Sequence, residues 1–310
     1  MEGSGLTDHR IHYLSETLGL RAITLVTTNA VAKAQTLHRT RPTATAALGR
    51  CLSGAALLGA SLKHNHSVTL RINGGGPAGT LLATCDAQGN VRAYIDHPEA
   101  DAPPKGQGKL NVPAIVGRQG LLTVSYDLGL KSPYTGSAQL LNGEIAADLA
   151  YYLTTSEQIP SSVGLGVLVG QDGRVQASGG FLIQALPLGD SISKDQKQEQ
   201  NQALTKIIER SETLTSISHM IEAGATPKDL LAEVMGAIKM REISQDPIVF
   251  SCKCNRNRAL ETLKTMDRDD IQGLINQNGN LEVTCEFCRE TFYFDEDEIE
   301  AFLNPPDLAN

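Results

Sequence analysis

Four cysteines carry the chemistry of this chain: Cys252 and Cys254 as C-x-C, and Cys285 and Cys288 as C-x-x-C, with 30 residues between the pairs. Thiolates are strong ligands for a borderline-soft cation. Two short cysteine knuckles brought together by a folded segment supply the four sulfurs of a tetrahedral structural zinc site, each at about 2.3 Å. One Zn2+ per chain is therefore expected on Cys252, Cys254, Cys285 and Cys288. The thiols within each pair are also near enough in sequence to oxidise, so the same residues could serve as a switch. The spacing leaves open which use operates.

The other two cysteines read differently. Cys51 lies in the apolar stretch CLSGAALLGASL and Cys85 ends the run TLLATC, so each is expected to be a buried small hydrophobe. Gly74, Gly76 and Gly79 satisfy G-x-G-x-x-G, but the TLLATC that follows has a strand pattern where a dinucleotide site needs a helix. A hairpin turn is the expectation there. His64 and His66 have no third ligand at recognisable spacing and read as a solvated strand edge. Ser161 and Ser162 lack the G-x-S-x-G elbow of a hydrolase nucleophile. The acidic run Asp295 to Glu298 lacks the spacing of a calcium loop and suits the first turn of a terminal helix, where carboxylates meet the positive end of the dipole. No catalytic constellation emerges, and the chain is expected not to be an enzyme.

Composition narrows the class further. With 310 residues, 41% hydrophobic and 20% charged, the chain suits a globular protein of about two domains. Residues 246–310 hold 6 Lys+Arg against 14 Asp+Glu, so the whole formal charge of −8 falls in the cysteine-bearing segment. That sign is unsuited to phosphate contacts, and nucleic acid is not expected as a partner. The opening MEGSGLTDHR is polar, and no run of about 18 apolar residues could span a bilayer, so no membrane partner and a cytoplasmic location are expected. In a reducing compartment, clustered cysteines favour metal or redox chemistry over a static disulfide framework.

The elements that must position the cysteines follow from periodicity. Residues 21–28 read as a strand, followed by helix through residue 63 with Pro42 near the start of a second helix. Runs 67–72, 80–85 and 91–95 read as an antiparallel meander, 96–120 as a long loop and 121–126 as a strand. Ile145, Leu149, Tyr152 and Leu153 share one face of a helix expected over 137–158. Runs 162–169 and 180–186 flank the hairpin signal Asp172-Gly173. Residues 1–189 are thus expected to form an α+β core of about six strands. A helical linker region over 190–246 should start in a polar stretch, 190–201. Its first amphipathic helix carries Leu204, Ile207, Ile208, Leu214, Ile217 and Ile221; a second, opened by Thr226-Pro227, carries Leu230, Leu231, Val234 and Ile238. Residues 247–310 should form the four-cysteine module, with helix patterns at 259–266 and 271–275, a strand at 280–284 and a thin core that needs a metal to fold.

The phrases VFSCKCNRNR at 249–258, LEVTCEFCRETFYFDEDEI at 281–299, GGFLIQALP at 179–187 and NGGGPAG at 73–79 resemble the heat-shock protein 33 family of redox-regulated molecular chaperones. The likeness spans nearly the whole chain. It implies an N-terminal α+β domain with an antiparallel sheet, a helical linker that changes order, and a small C-terminal zinc domain. It further implies that the reduced, zinc-bound form is inactive. Oxidation would then join Cys252 to Cys254 and Cys285 to Cys288, release zinc and expose a surface that holds unfolding or aggregation-prone client proteins without ATP. Active forms in the family are dimers, so a homodimer is expected when active. Asn255 and Asn257 make the stretch after the first pair less charged than the family pattern. A Cys252–Cys254 bond needs the backbone to turn at Lys253, because alternate Cα atoms of an extended chain lie about 6.6–7.2 Å apart, near or beyond disulfide reach. The competing readings are a constitutive zinc module that mediates a fixed protein contact, and a thiol oxidoreductase using Cys285 and Cys288.

Overall fold

The structure, a computed structural model, describes residues 7–106, 109–187, 194–214, 216–267, 270–271 and 280–303. Its first part runs β1 (His9–Ser15), β2 (Leu20–Val26), α1 (Thr28–His38), α2 (Pro42–Gly59), β3 (Ser67–Gly75), β4 (Thr80–Asp86), β5 (Asn90–Ile95), α3 (Val112–Val116), β6 (Gly117–Asp127) and β7 (Tyr134–Gln139). It continues through α4 (Ile145–Thr155), β8 (Ser161–Val169), β9 (Val175–Ala185), α5 (Lys194–Thr213), α6 (Ile217–Glu222), α7 (Pro227–Met235), β10 (Arg241–Pro247) and β11 (Val249–Phe250). A second part holds α8 (Arg256–Leu263), β12 (Leu281–Thr284), β13 (Thr291–Phe294) and a last helix, Glu296–Leu303. The chain divides into two compact units at Ser251 and Cys252.

The stretch rich in Ala, Leu and Gly becomes the centre of the first unit because its small side chains let a long helix fit between two sheets. Helix α2 packs against β3, β4 and β5 of one sheet and β8 and β9 of the other, and nearly all its residues are buried. Small side chains let both sheets approach closely. A Cβ on Gly59 would come within 2.5 Å of Cys85 Sγ, and one on Gly49 within 2.7 Å of Val31. Cys51 and Cys85 are fully buried at this contact, as expected, and burial pushes the Cys85 thiol up to about 11. The polar members of α2 are paired: Ser53 meets the Thr27 hydroxyl at 2.7 Å.

The two sheets are ordered β10-β1-β2-β9-β8 and β11-β5-β4-β3-β6-β7. Every pairing within them is antiparallel except β11 on β5. On β2, Ile23 and Leu25 face the α2 core, whereas Leu20 and Ala22 join a second cluster on the opposite face of the sheet. That second cluster also contains Leu204 and Ile207 of α5 and Val234 and Met235 of α7. The aliphatic stripes of the expected linker therefore cover the outer face of the five-stranded sheet, and β2 is buried at every residue but Arg21 because both its faces are covered.

Several elements differ from the pattern reading. Among the described residues, 1–189 hold nine strands where about six were expected; β1 and β7 had no pattern to announce them, β6 begins at Gly117 inside the expected loop, and β10 and β11 add to the two sheets from beyond residue 189. Residues 137–139 belong to β7, so α4 starts only at Ile145. Tyr134–Gln139, YTGSAQ, is an edge strand with one partner, exposed on alternate residues, and has no apolar face to betray it. The helix expected from Leu204 to Ile221 breaks into α5 and α6, and α5 already begins at Lys194 within the polar stretch. Residues 188 and 189 of the expected core, 190–193 of the expected linker and 272–275 of the expected helix lie outside the described residues. Among the described residues no helix is long and apolar enough to cross a membrane.

The second unit has a core of its own, formed by Ala259, Leu263, Ile271, Leu281, Phe294 and Ile299. Six buried side chains among the described residues are few for an independent fold. The hairpin β12–β13 pairs Leu281 with Phe294 and Thr284 with Thr291, and its two ends frame the second cysteine pair.

Candidate metal centre

The first knuckle, Cys252-Lys253-Cys254, is held from its C-terminal side. Asn255, in extended backbone, caps α8 by accepting from the Arg258 N–H at 2.9 Å, and the Arg258 guanidinium donates to the Lys253 carbonyl at 2.9 Å. The departure from a charged residue at this position is thus a helix cap. Arg256 reaches across the unit, donating to both carboxylate oxygens of Glu298 at 2.6 Å while its guanidinium lies 4.4 Å from the Phe294 ring centroid. It ties α8 to β13 and the last helix.

The second knuckle is the tip of the β12–β13 hairpin. The Cys285 N–H donates to the Glu290 carbonyl at 2.8 Å and the Arg289 N–H to the Cys285 carbonyl at 2.8 Å, which closes the turn with Arg289 in the left-handed region at φ 58°. The last helix begins where the acidic run predicted it: Asp295 Oδ1 accepts from the Glu298 N–H at 2.8 Å, and the Asp295 N–H donates to the Glu298 carboxylate at 3.3 Å.

These two supports bring the sulfurs together. Cys252 Sγ lies 3.7 Å from Cys285 Sγ, Cys254 Sγ 3.2 Å from Cys288 Sγ, and all four lie within 4.8 Å of one another. A tetrahedron with metal–sulfur bonds of about 2.3 Å has edges of about 3.8 Å, so the donor set fits a single thiophilic ion. The cysteines are present as thiols. Partial burial, and then hydrogen bonding among the clustered sulfurs, pushes the Cys254 thiol up; burial is also the main cause raising Cys288. A divalent cation inverts that balance, because it offsets the mutual repulsion of four thiolates and binds as protons leave.

The remaining candidates fall elsewhere. Among the described residues the four cysteines are the one group of three or more metal-ligand side chains. Gly74 and Gly76 lie at the β3–β4 hairpin, where a Cβ would strike the backbone of Val116 and Gly117, and no helix follows Gly79. His64 and His66 are exposed or half-buried turn residues whose rings meet edge-on at 6.2 Å. Ser161 is a buried β8 residue, donating to the Ile159 carbonyl and accepting from Gln184. Sequence reasoning missed Arg256 and Asn255, although Asn directly before a helix pattern is an N-cap signal.

A family profile described as Hsp33 protein matches residues 8–295. A 33 kDa chaperonin of Geobacillus kaustophilus is 41% identical over 293 residues, covering 94% of this chain and 96% of that protein. One from Geobacter sulfurreducens is 43% identical over 297 residues, covering 96% and 95%. The crystal structure of the 33 kDa chaperonin (Heat shock protein 33 homolog) of Thermotoga maritima superposes with a TM-score of 0.83 at 33% identity, covering 96% of this chain and 98% of that one. The folded architecture, the cysteine cluster and these likenesses agree over nearly the whole length, and the chain belongs to the Hsp33 family, a family of chaperones.

Proposed function

We propose that this chaperone is an ATP-independent holdase switched by oxidation, with Cys252, Cys254, Cys285 and Cys288 holding one Zn2+ in a reduced, inactive state. The observation that carries the reading is the meeting of four thiols within 4.8 Å in a unit whose core, among the described residues, is six buried side chains. When bound, zinc would supply folding free energy, worth roughly 10–16 kcal/mol in small structural sites at neutral pH. The thiolates are also the form that oxidants attack. A thiolate attacks a peroxide oxygen to give a sulfenic acid and hydroxide, and the neighbouring thiol displaces water from that sulfenic acid to close a disulfide; each disulfide formed gives up two electrons, which reduce one peroxide. Pairing Cys252 with Cys254 and Cys285 with Cys288 uses up all four ligands.

With the module unfolded, the 190–246 segment acts as the switching linker. Undocking of α5 and α7 bares Leu204, Ile207 and Val234 together with Leu20, Ala22 and Phe181 on the sheet beneath. An apolar patch of that kind binds unfolding clients with little sequence choice. The active form works as a homodimer in the cytoplasm. The experiment is zinc content against cysteine number. Reduced protein should carry one zinc per chain, and Cys→Ser at any of the four positions should abolish tight binding. Undiminished zinc in a Cys254→Ser, Cys288→Ser double variant would overturn the assignment.

A further inference from the structure

One edge of the six-stranded sheet is covered by a short piece of the chain's own backbone. After β10, residues 247–251 turn onto β5, where β11 pairs in parallel with Val249 opposite Asn90 and Phe250 opposite Val91. The Val249 N–H donates to the Gly89 carbonyl at 3.0 Å and the Ser251 N–H to the Val91 carbonyl at 2.9 Å. On its other side the Ile248 N–H donates to the Asp8 carbonyl at 3.0 Å. Farther along the same strand, the buried His38 ring donates to the Ala93 carbonyl at 2.9 Å. Removing the strap would leave β5 as an edge strand with carbonyls at Gly89 and Val91 pointing outward, a template for another extended chain.

The seat is shaped for a backbone and selects side chains by alternation. Gly89 has φ 83°, and a Cβ there would overlap the Pro247 carbonyl oxygen, so glycine is what lets a strand lie this close. Ile248 is 4% exposed within the main core and Phe250 packs against that core, whereas Val249 between them is 53% exposed. An extended segment with apolar residues two apart, and any residue between, satisfies the same seat. The present occupant is weakly paired: its strand is two residues long, and parallel ladders are the less stable kind. It also runs directly into Cys252.

We infer that the β5 edge, residues 89–93, is a docking site for an extended segment of an unfolding client with apolar side chains at alternate positions, and that the strap 247–251 is its built-in placeholder. The inference rests on the redox-chaperone reading, because it is unfolding of the cysteine module that would leave the strap tethered at one end only. A client then adds as a strand, donating its N–H groups to Gly89 and Val91 and burying two side chains where Ile248 and Phe250 sat. Backbone hydrogen bonds are the same for every sequence, so the site discriminates little, as a holdase requires.

The test uses the full chain and a labelled peptide copying residues 246–251. Oxidised, zinc-depleted protein should bind it at least tenfold more tightly than reduced, zinc-loaded protein. A peptide with Ser in place of both Ile and Phe should lose tenfold or more. Hydrogen exchange at residues 89–93 should quicken on oxidation and slow again with peptide or with an unfolding client. If oxidised protein releases zinc and holds clients while residues 89–93 show neither change, the edge proposal falls and the chaperone reading stands. If these amides stay slow in an oxidised dimer and quicken only on dilution, a second copy's strap is the occupant and the client assignment is overturned. If oxidation neither releases zinc nor confers holding, both fall together.

Discussion

Arg256 links the helix after the first cysteine knuckle to the strand and helix after the second, without being a ligand. Its planar fork grips both Glu298 oxygens while the same plane stacks on Phe294, a geometry that lysine cannot reproduce. Arg256→Ala should speed zinc loss to a chelator by about two- to fivefold, the equivalent of about 0.5–1 kcal/mol of lost stacking, with Arg256→Lys between the two. An unchanged rate in both variants would remove the clamp from the account. Asp8 offers a proton-linked test in the other unit. Its carboxylate accepts from the Asn29 and Ala30 N–H groups at the start of α1, yet burial outweighs those bonds and raises its pKa from 3.8 to about 6. The folded state thus holds this proton more tightly than the unfolded one. Its contribution to stability is full below about pH 3.8 and is lost as pH rises through about 6. Between pH 7 and pH 5 the wild type should gain about 1 kcal/mol relative to Asp8→Asn, read from urea midpoints. A difference independent of pH would refute it.

At the scale of elements, capping and pairing decide what pattern alone cannot. Thr226 and Asp229 form a reciprocal cap on α7, with the Thr226 N–H donating to Asp229 at 2.8 Å. Thr226→Ala should loosen α7 by about 1 kcal/mol, seen as faster exchange of the amides at 230–235, without altering zinc affinity. This start was legible in the sequence because Thr-Pro opens an amphipathic run. So were α2, β3 to β5 and the β8–β9 hairpin, whose apolar period matches what they bury. β7 and β10 were not, because YTGSAQ and REISQDP are polar strands selected by the ladder beside them rather than by a core. The split between α5 and α6 was likewise hidden: the aliphatic spacing runs on through Leu214 to Ile217, and only the fold shows where the helix ends. For the candidate site the cysteine spacing named all four sulfurs, whereas Arg256 went unnoticed because its partners lie some 40 residues away and meet it only after folding.

On the scale of the whole molecule, stability is divided unequally. The unit ending at Ser251 has a large core built around α2, and the unit beginning at Cys252 has a small one beside a cluster of thiols. In the proposed switch the small unit is surrendered while the sheets are kept, and the outer face under α5 and α7 would be one surface offered to clients. Converting the two buried apolar residues of α5 in this cluster to polar ones, Leu204→Ser with Ile207→Ser, should give measurable client holding in the reduced, zinc-loaded state. Failure of that variant to hold clients while remaining folded would argue against this face. The central claim is tested most directly by treating reduced protein with peroxide under mild heat. Zinc release is followed with a chromogenic chelator, and aggregation of an unfolding client is followed by light scattering in the same samples. The account predicts one zinc released per chain, suppression of aggregation that grows in step with release, and reversal of both on reduction with added zinc. Zinc retained throughout, or released with no gain in holding, would contradict it.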